Sequence, residues 1–214
     1  MLRLVNTSNL KEIMVSLSEA MPKREKLMWY AFFVTTGKEN MISTYLDKIL
    51  VTHEYISYEL LVPRRELKEY KSGIVITKLK PLFPGYILIK TNTILLIYQI
   101  LRNWWHRDMR AILRSNENFH EIKWEEIKII KQLVNDEGII KVSDIFLENN
   151  RVLITKGPLV NYTGIIKKVN RRKKRAKIIL DLLNNKHDVD VSINLLGWRN
   201  KYDESFIKRA FAKA

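Results

Sequence analysis

The 214-residue sequence contains no cysteine. This excludes a disulfide framework, a thiolate metal site and a cysteine nucleophile, and it fits a reducing cytoplasm. Glycines number only seven and are dispersed, so no glycine-rich loop is available to cradle a phosphate. His53, His106, His120 and His187 follow no metal-ligand spacing. Carboxylates offer little more: Glu125-Glu126 falls on the polar side of a helical segment, Asp188 and Asp190 alternate on a strand, and neither pair has a companion suited to a metal nuclease. No catalytic residue, metal or cofactor is therefore expected, and the chain reads as a non-enzyme. Long apolar runs are missing too. Ile94 to Leu101 is interrupted by Tyr98 and Gln99 and falls short of the ~18 residues a membrane span needs. A soluble, cytoplasmic, monomeric protein is expected.

What the sequence has in excess is positive charge: 38 Lys and Arg against 23 Asp and Glu, a formal +15. Such a balance favours a polyanionic partner, although it also serves solubility. The excess is uneven. Residues 151–214 carry 16 cationic and 5 anionic side chains, whereas residues 1–150 carry 22 and 18. At 46% apolar content the chain can bury real cores.

Periodicity sketches two domains. Trp29 to Thr35 is aromatic and β-branched and reads as a buried strand. Met41, Ile42, Tyr45, Leu46, Ile49 and Leu50 recur at helical spacing over residues 38–51. A strand at 59–63 and a hairpin at 70–79, turning at Ser72-Gly73, follow. Tyr86 to Ile89, continuously apolar, suits a central strand covered on both faces. Helices are predicted over 94–104 and 124–134, the latter with Trp124, Ile127, Ile130 and Val134 on one face. This gives an α+β fold: a first domain at 28–135, a mainly antiparallel sheet with packed helices. Residues 136–150 have a connector's composition. Short strands with tight turns at 151–197 suggest a small β-barrel. Residues 1–27 are expected to form an N-terminal arm, either frayed or preceding a natural start at Met28, and residues 198–214 a tail with one helical turn or several over 205–213.

Two constellations stand out. From Lys167 to Lys177, eight of eleven residues are cationic: Lys167, Lys168, Arg171, Arg172, Lys173, Lys174, Arg175 and Lys177, with Asn170 at the predicted turn. Fanned from a hairpin, these charges repel one another, and phosphates relieve that repulsion best. A solvated loop, a membrane-surface segment or a localisation signal shares the same composition. Tyr162 reads either as a stacking residue beside the run or as barrel core. The second constellation is apolar: Phe33, Phe83-Pro84-Gly85-Tyr86 and Ile112. Proline and glycine redirect the chain there and set Phe83 and Tyr86 beside the sheet, as a partner pocket or simply as core.

Trp29-Tyr30, Gly37-Lys38-Glu39-Asn40, Leu61-Val62-Pro63, Leu82-Phe83-Pro84-Gly85-Tyr86, Lys156-Gly157-Pro158-Leu159 and Gly164 together resemble, in order and spacing, the NusG family of transcription elongation factors. The resemblance implies a NusG-type N-terminal domain linked to a KOW barrel. It implies binding of the clamp helices of RNA polymerase by an apolar pocket at Phe33, Phe83, Pro84, Tyr86 and Ile112. Where housekeeping members carry a Phe-Gly-Arg turn, this chain has Leu183-Asn184-Asn185, which departs from the pattern for Rho and ribosome contacts. The basic run is similar to that of the LoaP-type antiterminators of the family, which recognise an RNA hairpin in operon leaders. An RfaH-like reading of non-template DNA by the first domain, and an RNA- or ribosome-binding KOW module with no polymerase role, are the alternatives.

Overall fold

The computed structural model describes residues 26–71, 74–112, 114–115, 118–148 and 151–199. In chain order these form β1 (Met28–Val34), α1 (Glu39–Leu50), β2 (Tyr58–Leu61), β3 (Arg64–Lys71), β4 (Ile74–Pro81), β5 (Tyr86–Thr91), α2 (Ile94–Asn103) and β6 (Met109–Ile112). Two-residue strands follow: β7 (Arg114–Ser115), β8 (Asn118–Phe119) and β9 (Glu121–Ile122). Then come α3 (Trp124–Leu133), β10 (Ile139–Ile140), β11 (Ser143–Glu148), β12 (Arg151–Lys156), a 3-10 turn (Thr163–Ile165), β13 (Ile166–Asn170), β14 (Arg175–Leu182) and β15 (Asn185–Arg199).

The first sheet runs β2-β5-β1-β6, with β9 also on β1, and all these pairs are antiparallel. Alternation along its central strands divides the core in two. Tyr30, Phe32, Val34, Ile87 and Ile89 pack with Ile42, Leu46, Ile97 and Leu101 of α1 and α2. Trp29, Ala31 and Leu88 face the other way, toward Ile127 and Ile130 of α3. The continuous apolar run of β5 thus has the two-sided cover expected of it, with each fully buried Ile or Leu contributing about 1.5–3 kcal/mol. In α3 the expected face is rotated. Glu126, Ile127, Ile130 and Leu133 are buried, which leaves Trp124 at the rim, 59% exposed.

The remaining strands pair as the two-stranded β7-β8, as β10-β3-β4 and as β12-β11-β15-β14-β13. Residues 136–150, expected as a connector, hold β10, which pairs in parallel with β3, and β11, which lies inside the second five-stranded sheet. Asp136-Glu137-Gly138 marks a turn, with Gly138 at φ +71°. The apolar Ile139, Ile140, Ile145, Phe146 and Leu147 around it are buried. No closed barrel forms among the described residues: β12 and β13 end the second sheet unjoined, and β11 and β15 pair in parallel rather than antiparallel. The expected N-terminal arm, apart from its last two residues, and the tail beyond Arg199 lie outside the described residues. Among those described, no helix is long and apolar enough to cross a membrane.

Candidate interaction surfaces

The aromatic site is built by the junction of β1, β5 and α1. Register sets Phe33 opposite Tyr86, and their rings lie 5.5 Å apart. Phe83-Pro84-Gly85 is a tight turn into β5, closed by the Tyr86 N–H donating to the Phe83 carbonyl at 3.2 Å. Gly85 sits at φ +86°, and a Cβ there would stand 3.1 Å from the Phe33 ring and 3.2 Å from the Val34 carbonyl, so glycine is required. Glu39, buried at the start of α1, holds this turn: its Oε1 accepts from Gly85 N–H at 2.7 Å and from Gly37 N–H at 3.0 Å. The sequence places Glu39 within the Gly37-Lys38-Glu39-Asn40 motif but assigns it no role of its own. The available signal was an acidic residue in the first helical turn after Gly37-Lys38.

Phe33 is 39% exposed, Tyr86 is half-buried and Phe83 only 2% exposed. Ile112 does not join them. It pairs with Phe32 across β1 and β6 and packs into the core beneath α1 and α2, because directly paired residues share a sheet face.

Phe83 is covered by the second sheet. The His187 ring of β15 stands edge-on to it at 5.1 Å, with Tyr86 at 6.5 Å. Beside this contact, Glu126 of α3 clasps the β14–β15 turn: Oε2 accepts from Leu183 N–H at 3.0 Å and Oε1 from Asn184 N–H at 2.9 Å. Leu183 and Asn184 both have positive φ, 56° and 61°, which turns both N–H groups toward one acceptor. Glu126 was expected on the polar side of its helix. Periodicity cannot reveal a carboxylate whose partners lie 57 and 58 residues away. The Tyr162 hydroxyl donates to Gln132, and the Lys68 N–H to the Ser192 hydroxyl at 2.9 Å, which extends the contact. Arg65 lies in it as well: burial pulls its guanidinium below the ordinary value, Asp190 opposes this and Arg175 adds to it.

The cationic run forms the β13–β14 hairpin. Its turn spans residues 171–174, with Lys174 at φ 49° and the Asn170 side chain accepting from Lys173 N–H at 2.9 Å. The charges are not equivalent. Lys167 donates to Asp188 at 2.9 Å and Lys177 lies 4.0 Å from it. The hydrogen bond from Lys167 holds the Asp188 carboxyl below its ordinary value, with the nearby Lys177 charge adding to the effect. Arg175 is half-buried with its Nε enclosed. Lys168, Arg171, Arg172, Lys173 and Lys174 remain exposed, as does Asn170.

A further surface escaped the sequence reading. Between α2 and β6, Tyr98, Arg102, Trp105 and Arg110 line an open cleft of approximately 340 Å³. Trp105 is 41% exposed, and Trp104 beside the cleft is 56% exposed. Tyr45 fixes their loop by donating to the Trp104 carbonyl at 2.8 Å, and Tyr98 packs on Phe119 at 5.6 Å. The Trp doublet between Arg102 and Arg107 was the legible signal.

Residues 27–143 match the family model described as "Transcription termination factor nusG". The chain is 23% identical over 184 residues to the transcription termination/antitermination protein NusG of Rickettsia felis, covering 84% of this chain and 95% of that protein. It is 24% identical over 171 residues to that of Staphylococcus aureus, covering 78% and 92%. Among solved structures, one of domain interaction in Thermotoga maritima NusG aligns with a TM-score of 0.48 and 19% identity, covering 78% of this chain and 94% of that one.

Proposed function

Because this chain belongs to the NusG family of transcription termination/antitermination factors, whose members interact with RNA polymerase, we propose that it is an operon-specific antiterminator of the LoaP type. It grips polymerase with its first domain and a nascent leader hairpin with its second, and so carries transcription past terminators. The observation that carries the RNA half is the exposed Arg171–Lys174 turn, which offers four consecutive cationic side chains at the tip of a hairpin. Arginine forks there bind phosphate bidentately and stack on unpaired bases. Two linked attachments raise the local concentration of the factor at the polymerase.

The polymerase half rests on Phe33, Phe83, Pro84 and Tyr86. Contact through Phe83 requires the second sheet to move away, since His187 stands against it and Glu126 holds the adjoining turn. The proposed factor is thus closed until recruited.

Transcription in vitro through an intrinsic terminator, with and without a candidate leader hairpin upstream, tests the proposal. Readthrough only with the hairpin supports it. Equal readthrough on every template assigns the chain a general elongation role, and failure to retain purified polymerase leaves only an RNA- or ribosome-binding module. The cleft lined by Trp105, with the exposed Trp104 next to it, favours a second reading, recruitment by exposed non-template DNA, because tryptophans among arginines suit stacking on a single strand. Footprinting of a paused complex distinguishes the two.

A further inference from the structure

The second sheet is open where a barrel would close. Its end strands, β12 and β13, are not joined to each other, and between them lies a cleft of approximately 230 Å³. Leu147, Val152, Ile166 and Val169 supply its apolar wall, and Lys168 and Arg171 stand at the same cleft. Leu147 is buried and the other three wall residues are half-buried, so the apolar wall is reachable from solvent.

We propose that this cleft receives one unstacked base from the loop of an RNA hairpin. The inference rests on the RNA reading above and names the part of the RNA that is read. Three features favour this occupant. The cavity is smaller than the roughly 300–1,000 Å³ of sites for drug-sized ligands, which suits a single ring system. Edge strands present unpaired N–H and C=O groups, and these match the hydrogen-bonding edge of a base while apolar side chains meet its faces. The cations at the cleft continue into the Arg171–Lys174 turn, so a backbone held by that turn delivers its neighbouring nucleotide to the opening. The backbone of an added protein strand carries no charge, whereas that of RNA carries one per phosphate.

The full chain is tested against RNA stem–loops that share one stem and carry a randomised loop, with the same stem as a blunt duplex for comparison. Wild type should prefer selected stem–loops about tenfold. Val152→Trp, which fills the cleft without changing charge, should abolish that preference and leave duplex binding unchanged, with an unaltered circular dichroism spectrum. As a second measurement, 4-thiouridine in the selected loop should crosslink wild type at the cleft, at Leu147 or within 151–156 or 166–171. Retained loop preference in Val152→Trp, or crosslinks only elsewhere, overturns the cleft while leaving RNA binding intact. Equal wild-type binding to duplex and stem–loop does the same, and concentration-dependent dimers in that case point to strand pairing between copies. Wild type that binds no RNA removes the parent reading and this inference together.

Discussion

Replacing Glu126 with alanine should loosen the second sheet from the first sheet and its helices without unfolding either. The carboxylate is 8% exposed and accepts two backbone N–H groups, from Leu183 at 3.0 Å and Asn184 at 2.9 Å. Hydrogen bonds to a charged group contribute a net ~1.5–3 kcal/mol each. Asn184 is exposed and Leu183 half-buried, so water compensates part of the loss and the low end applies, about 3 kcal/mol for the pair. At 1.4 kcal/mol per decade this shifts the closed-to-open ratio by about a hundredfold. Amide hydrogen exchange reads the shift directly. Protection at Leu183 and Asn184 should be lost with their acceptor, and at Lys68, whose N–H donates to the Ser192 hydroxyl across the contact, it should fall by up to that factor, while Ile87 and Ile89, packed beneath the helices on the opposite sheet face, keep theirs. Glu126→Gln should fall between, since its amide keeps one acceptor but turns an N–H₂ toward the second donor. Retention of the Glu126→Ala variant by purified RNA polymerase should rise in parallel. Unchanged exchange at Leu183 and Asn184 would refute the clasp; loosened exchange without increased retention would refute the idea that closure masks Phe83.

Three other outcomes are expected. Gly157→Ala should lower the thermal midpoint by an amount equivalent to about 1–3 kcal/mol, because a Cβ at φ +99° would stand 2.7 Å from the Ser143 Cα and 2.8 Å from the Val142 carbonyl. Changing Arg171, Arg172, Lys173 and Lys174 together to alanine should flatten the salt dependence of hairpin binding, from a log–log slope of about −4 for roughly five phosphates toward zero; unchanged affinity and slope would remove the turn from the interface. Tyr58 should titrate at about 12, since burial raises it first and its hydrogen bond to the Asp47 carboxylate raises it further. Its folded value exceeds the ordinary 10.0, so its contribution to stability is complete below pH 10 and lost as pH rises through about 12. Tyr58→Phe should remove that late step from the tyrosinate absorbance.

Local pattern alone determined much of this protein. Trp29 to Val34, the helix beginning near Glu39 and the strand Tyr86 to Ile89 were legible because burial on one or two faces imposes a period on apolar residues that survives in one dimension. The cationic turn was legible because like charges eight-strong in eleven residues repel wherever the chain places them. Tertiary structure decided the rest, since it depends on partners remote in sequence. It sent Ile112 to the helix side of the first sheet, paired with Phe32 and away from Phe83. It set the single carboxylate of Asp188 between Lys167 and Lys177, the two ends of the basic run. It turned Glu39 and Glu126, two unremarkable helical carboxylates, into the acceptors that hold one turn beside Phe83 and another across the contact with the second sheet. A carboxylate announces nothing about which N–H groups it will meet, because that choice is made by packing between elements dozens of residues apart.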